Sequence, residues 1–217
     1  MDDSKREFID FMTEAGVLTF GDFTTKSGRK TPYFVNTGNY KTGMHISKLG
    51  DYYADCVIHS GESFDALFGP AYKGITLAAA TAASLYRNHR MNVPYFFNRK
   101  EAKDHGEGGS FVGYAPKDGD RILIIEDVVT AGTAVRESLG LLKAVADVTV
   151  TALFVSVDRM ERGTGTSSTL DELRDEFGIN VYSIINVRDI IDSLPEGDGR
   201  VASMEEYLAL YGAVIKS

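Results

Sequence analysis

Residues 121–134, RILIIEDVVTAGTA, constrain this chain more than any other stretch. Residues 122–125 form an unbroken apolar run, the pattern of a short strand buried on both faces of a parallel sheet. The acids Glu126 and Asp127 follow, then Val128 and Val129, then the small-residue turn Thr130, Ala131, Gly132 and Thr133. Beyond Ala134, Val135, Leu139, Leu142 and Ala146 recur at helical spacing. The predicted order is therefore buried strand, acid pair, glycine-containing loop, helix. A helix start offers free backbone N–H groups and a positive dipole end, which suit a phosphate monoester. Small residues let the backbone approach phosphate oxygens, and threonine hydroxyls add hydrogen bonds. Carboxylates beside such a cradle repel phosphate unless they face sugar hydroxyls or a metal ion. A phosphorylated sugar satisfies both halves, with its diol on the acids and its 5-phosphate on the loop. The plainer alternative is an ordinary strand–turn–helix with surface acids.

Composition narrows the setting. A length of 217 residues suits a single α/β domain, residues 1–217, able to bury roughly 70% of its unfolded surface. A net charge of −8 and a pI near 5.0 argue against a nucleic-acid or membrane-surface partner. The single cysteine, Cys56, has no internal partner for a disulfide, which suits a reducing, cytoplasmic setting. Its spacing with Ile46, Leu49 and Tyr53 places it on the apolar face of a helix. The charged opening MDDSKREFIDF does not resemble a signal peptide, and no apolar run approaches membrane-spanning length.

Along the chain, Ser4 and Glu7 predict a capping box for a first helix that Gly16 ends. Strand-like pieces at 17–20 and 31–35 flank the turn at 26–30, KSGRK, and Tyr33 and Phe34 put aromatic surface beside polar turn residues. Such a pair can simply pack as a hairpin, or stack on a planar heterocycle. A second strand–loop–helix unit carries Tyr72 and Lys73 in its loop, without the Walker A or GxGxxG spacing. A lone loop lysine is commonly just solvated, but ligands in parallel sheets sit at these strand ends. Residues 98–109, NRKEAKDHGEGG, are too polar to bury and read as a mobile loop, with Arg99, Lys100, Lys103 and His105 as candidate cations for a lid over a polyanion. Glu101 and Asp104 leave open the reading of a solvated loop of mixed charge. The βα alternation predicts a mainly parallel sheet with helices on both faces, topped by a small N-terminal hood of about residues 1–40.

Residues 121–134 resemble, position by position, the phosphoribosyl pyrophosphate (PRPP) signature of the type I phosphoribosyltransferases. Within that family the chain is similar to the orotate-using branch over essentially its whole length. The segments that carry the similarity are KSGRKTPYFVNTG (26–38), FGPAYKG (68–74), the lid at 98–109, the PRPP signature and SVDRMERG (156–163). The resemblance implies the family's twisted parallel sheet and the reaction of orotate with PRPP, giving orotidine 5′-monophosphate and pyrophosphate in de novo pyrimidine (UMP) biosynthesis. It also implies Mg2+, held mainly through PRPP and water rather than by protein ligands. A homodimer is implied, with each lid acting in the neighbouring subunit's site.

The same resemblance assigns residues. Glu126 and Asp127 would hold the ribose hydroxyls, and Val128, Val129, Thr130, Ala131, Gly132, Thr133 and Ala134 the 5-phosphate. Tyr72 and Lys73 would line the pyrophosphate pocket, and Arg99, Lys100, Lys103 and His105 would meet the pyrophosphate from the lid. Lys26 would sit between pyrophosphate and base. Phe34 would stack on orotate, and Arg159, helped by Thr130, would pair with its carboxylate. Val35 is also assigned to the orotate site; it stands where many relatives have a second aromatic, so of two stacking contacts only that of Phe34 carries over. Lys26, Lys73, Lys100, Lys103, His105 and Asp127 form the expected catalytic set, with no protein nucleophile, because an orotate nitrogen attacks. Two rival readings are a purine phosphoribosyltransferase and a PRPP-binding regulator of the same fold. Arg159 and the KSGRK turn count against the first, and the cationic lid against the second.

Overall fold

A computed structural model describes residues 2–25, 28–99, 110–163 and 165–214. Its main sheet has six strands in the order β5-β4-β3-β6-β7-β8. The strands are β3 (Ala66–Gly69), β4 (Tyr95–Asn98), β5 (Phe111–Gly113), β6 (Arg121–Ile125), β7 (Thr149–Asp158) and β8 (Asn180–Asn186). All neighbours pair in parallel except β4 with β5. The chain moves outward to β4 after β3, and outward the other way to β7 after β6. Ligands in open α/β sheets bind where strand order reverses in this manner, so the ends of β3 and β6 frame the site.

Alternation along β6 divides the core. Leu123 and Ile125 join one apolar cluster with Leu49, Tyr53, Leu77 and Phe154, whereas Ile122 and Ile124 join another with Phe68, Leu139 and Leu173. Helices α2 (Gly43–Ser60) and α3 (Lys73–His89) cover the first face; α4 (Thr133–Val145) and α5 (Thr169–Phe177) cover the second. Gly69 and Gly74 allow α3 to start tight against the sheet. A Cβ on Gly74 would lie 2.7 Å from Pro70 Cδ and 2.9 Å from the Ile125 carbonyl oxygen.

The hood is a two-stranded antiparallel hairpin, β1 (Leu18–Thr24) and β2 (Lys30–Val35). The last helix, α7 (Gly199–Tyr211), packs on β2 with Tyr207 edge-on to Tyr33 at 6.0 Å, so the hood draws on both ends of the chain. Helix α1 (Asp3–Glu14) corrects the expected capping box: Asp2, not Ser4, is the cap, and its carboxylate accepts the Ser4 amide at 3.2 Å. An aspartate two residues earlier captures a free N–H group of the first turn, that of Ser4, and moves the start upstream. Strand β5 and the short helix α6 (Val187–Ser193) were not predicted. Cys56 is half-buried, and burial pushes its thiol up to about 11, as a packing role requires. Among the described residues no helix is long and apolar enough to cross a membrane.

Candidate active site

Glu126 and Asp127 leave the end of β6 in different environments. Glu126 is 9% exposed, and its Oε1 accepts the Asp127 amide at 3.0 Å. Burial pushes its carboxyl up to about 7, with the Asp127 charge adding to the rise. Asp127 is also mostly buried, which alone would raise it. Hydrogen bonds from Lys73, Thr37 and the Val128 amide outweigh that and hold it below the usual carboxylate range. The pair thus consists of one firmly ionised acid beside one that shares the proton range of neutral water. Backbone bonds fix both: the Tyr53 phenol donates to the Glu126 carbonyl at 2.6 Å, and the Ser156 hydroxyl to the Asp127 carbonyl at 2.7 Å.

Lys73, the first residue of α3, reaches across the switch point. Its Nζ lies 2.7 Å from Asp127 Oδ2 and 2.9 Å from Thr37 Oγ1, and Thr37 donates to the same carboxylate oxygen at 2.6 Å. Below this triad is a cavity of about 190 Å3 with Tyr40, Tyr53 and Leu77 among its walls. The loop before Lys73 is held by Asn98 at the end of β4, whose Oδ1 accepts the Ala71 amide at 2.8 Å. Tyr72 is 68% exposed in that loop.

Residues 130–134 have the form of an anion cradle. Gly132 caps α4 with φ +73°, in the left-handed region that favours glycine. A Cβ there would also lie 2.6 Å from Arg136 Nη1 and 3.1 Å from Thr169 Cγ2. No side chain caps the helix, so its first-turn N–H groups remain available to an anion. The loop carbonyls are taken from behind: Thr169 Oγ1 donates to Thr130 O at 2.7 Å, and Arg136 Nη1 to Ala131 O at 3.0 Å. Val128 and Val129 are half-buried and pack on the two cores, whereas Thr130, Ala131, Thr133 and Ala134 are exposed.

Arg159, one strand along at the end of β7, is 13% exposed and lies over the Tyr33 ring at 4.8 Å. Phe34, the next residue of β2, is 40% exposed, 5.6 Å from Phe23 and on the opposite face of the hairpin from Tyr33. The structure therefore brings Tyr33, rather than Phe34, to Arg159. Val35 is half-buried against the core. Arg99 is half-buried, with its amide on Ser110 O at 2.8 Å. Lys26, Lys100, Lys103 and His105 lie outside the described residues.

Thr37, Tyr53, Ser156 and Thr169 received no role in the site from the sequence. They act through single hydroxyls supplied by four separate elements; Thr37 and Ser156 lie inside segments that carry the resemblance, and Tyr53 was placed only on an apolar helix face. Among the described residues no cluster of three His, Cys, Asp or Glu side chains could hold a metal.

The phosphoribosyl transferase domain model matches residues 36–181, which include both strand-end loops. The chain is 48% identical to the orotate phosphoribosyltransferase of Clostridium beijerinckii over 219 residues, covering 96% of this chain and 98% of that protein. It is 49% identical to the enzyme of the same name from Thioalkalivibrio sulfidiphilus, covering 95% and 97%.

The chain belongs to the orotate phosphoribosyltransferase family.

The fold agrees with that membership. The crystal structure of the family member from Francisella tularensis superposes with a TM-score of 0.87 at 37% identity, covering 95% of this chain and all of that one. An adenine phosphoribosyltransferase from Leishmania donovani shares the fold at a TM-score of 0.57 and 16% identity. The sheet and its switch point are therefore common to base-specific relatives, and the choice of base has to be read from side chains.

Proposed function

We infer that the protein transfers the 5-phosphoribosyl group of PRPP to orotate, releasing pyrophosphate and forming orotidine 5′-monophosphate on the route to UMP. One observation carries this reading beyond family membership. An acid pair and an open helix N-terminus share the end of β6, one strand from a buried arginine at the end of β7. Diol, phosphate and an anionic base thereby each meet a group of suitable charge.

In this reading the 5-phosphate takes the free N–H groups of residues 131–134. Asp127 accepts a ribose hydroxyl, and Glu126, able to hold a proton near neutrality, supports it from behind. The Lys73–Asp127 pair divides when PRPP enters, with Lys73 turning to the pyrophosphate. Breaking the C1–pyrophosphate bond builds positive charge on the ribose and negative charge on the leaving group, so cations preset at the pyrophosphate lower the barrier. The orotate nitrogen supplies the electron pair for the new bond to C1. Arg159 receives the orotate carboxylate, helped by Thr130, and Lys26 stands between base and pyrophosphate. The residues fit Mg2+ of the substrate-held kind: one or two carboxylates are within reach, and the remaining ligands come from substrate oxygens and water. Bound there, the ion supplies charge neutralisation to the departing pyrophosphate.

The same reading makes the working unit a cytoplasmic homodimer. Residues 98–109 of one subunit bring Arg99, Lys100, Lys103 and His105 to the other's pyrophosphate and exclude water, which competes for the same carbon. The deciding assay follows the orotate absorbance with PRPP and Mg2+ present, with adenine, hypoxanthine and uracil as controls. Orotate alone should be consumed, and chelator should abolish the loss. Equal turnover of a purine would overturn the assignment.

A further inference from the structure

Arg159 is held between a ring and a carboxylate. Tyr33 lies beneath its plane, and Glu161 Oε1 accepts from its Nε at 2.8 Å and its Nη2 at 2.5 Å. The same oxygen accepts the Tyr207 phenol of α7 at 2.8 Å, while Oε2 lies 4.0 Å from Arg29 Nη1. Both charged side chains are largely buried, at 13% and 20% exposed. The backbone around them is pinned to the end of α7 and beyond. Arg162 N donates to Tyr211 O at 2.9 Å, Ala213 N donates to Met160 O at 2.8 Å, and the Arg162 guanidinium donates to Leu210 O.

A buried ion pair seldom adds net stability over well-packed apolar side chains. What it adds here is direction. A guanidinium carries five N–H donors in a rigid planar fork. Glu161 takes one from Nε and one from Nη2, which fixes the plane and aims the remaining donors. Tyr207 removes the freedom of Glu161 in turn, and Arg29 stands at its other oxygen. A long side chain that would otherwise lose rotamer freedom on binding is thus ordered beforehand.

We propose that Glu161, backed by Tyr207, is a positioning residue that aims Arg159 at the carboxylate of a planar, anionic pyrimidine. This rests on the placement of Arg159 at the orotate carboxylate and extends it to α7, which that placement did not involve. PRPP binding, made by β3, β6 and α4, should not depend on this cluster.

The test uses the whole protein and steady-state constants for both substrates. Glu161→Gln should raise the orotate KM about tenfold by losing the charged acceptor. Tyr207→Phe, which removes one hydroxyl, should raise it about threefold. The PRPP KM should stay within about twofold in both, because neither Glu161 nor Tyr207 bonds a residue assigned to PRPP. A double-mutant cycle separates aiming from general support of the fold. In an Arg159→Ala background, Glu161→Gln should change the orotate KM by less than about twofold, since nothing remains to aim. An unchanged orotate KM in Glu161→Gln, an equal rise for PRPP, or the full effect persisting without Arg159 would overturn the proposal. Should Glu161→Gln fail to fold, Tyr207→Phe decides alone: a selective orotate effect supports the proposal and no effect overturns it. Failure of the wild-type protein to consume orotate would instead overturn the function itself, and that is seen before any variant is made.

Discussion

Lys73 Nζ lies 2.7 Å from Asp127 Oδ2, so a cation at the end of β3 and an acid at the end of β6 neutralise each other across the switch point. Lys73 is 60% exposed, and an ion pair so open contributes about 0–1 kcal/mol to the fold. The pair therefore stores two opposite charges at small cost, ready for a substrate that carries both a diol and a polyanion.

Asp127→Asn keeps the size of the side chain and removes its charge. The PRPP KM should rise about tenfold or more, the loss of a charge-assisted hydrogen bond. The melting midpoint should fall by no more than about 4 °C. Kinetics and a thermal scan on one preparation check both. An unchanged PRPP constant with unchanged turnover would remove Asp127 from PRPP binding and leave it a structural partner of Lys73 and Thr37.

Glu126 predicts a pH dependence of stability. Burial raises its carboxyl to about 7 in the fold, above the ordinary glutamate range of the unfolded chain. The native state therefore binds the proton more tightly. The stabilisation is complete below the unfolded pKa and is lost as pH rises through about 7. Asp127, held low, acts in the opposite sense and only in more acidic solution. Urea denaturation at pH 5 and pH 8 should show wild type losing roughly 1–3 kcal/mol more than Glu126→Gln over that interval. Parallel pH profiles would rule the raised carboxyl out.

Thr169 supports the loop before α4, proposed to hold the 5-phosphate, through one bond to Thr130 O. Thr169→Val keeps the shape and deletes the donor. It should cost about 0.5–1.5 kcal/mol of stability. It should also raise the PRPP KM roughly threefold to fivefold while leaving orotate within about twofold. Equal losses for both substrates would mean that the change spreads beyond the loop.

How much of this was legible in the sequence depended on how local each signal was. The stretch at 121–134 was readable because strand, acids, loop and helix follow one another directly. The two-sided burial of residues 122–125 also leaves a continuous apolar run. Thr37, Ser156 and Thr169 were not readable, because a hydroxyl that bonds a distant carbonyl or carboxylate leaves no pattern around itself. Strand β5 is three residues long, too short for a period, and is defined by its antiparallel partner β4. The packing of α7 on the hood was hidden because it depends on Tyr207 meeting Tyr33 across most of the chain and Glu161 at a separation of 46 residues. The alternation that sends Tyr33 inward and Phe34 outward was implicit in β2, but which face meets Arg159 needed the fold.

The shared-site reading predicts complementation. At orotate concentrations well below the KM of the Arg159→Ala protein, the Lys103→Ala and Arg159→Ala homodimers should each be nearly inactive. After subunit exchange, a mixed dimer whose lids act across the interface has one site with both defects and one with neither. Random mixing should then restore roughly a quarter of wild-type activity. Mass measurements establish that exchange has occurred, and no recovery after that would show that each lid serves its own subunit.

Ala66 pairs with Ile122 and Phe68 with Ile124, so the two strand ends that frame the site meet only when segments far apart in the chain have come together. Parallel pairing of such distant segments is a slow step in folding, and it is nearly the whole fold. A half-folded chain thus offers PRPP no complete site: the lysine follows β3 and its acids follow β6. By mass action, ligand at about a hundred times its dissociation constant would then shift the entire unfolding transition by roughly 2.7 kcal/mol, without melting or protecting any one part first. Occupancy of the site and survival of the sheet become a single equilibrium.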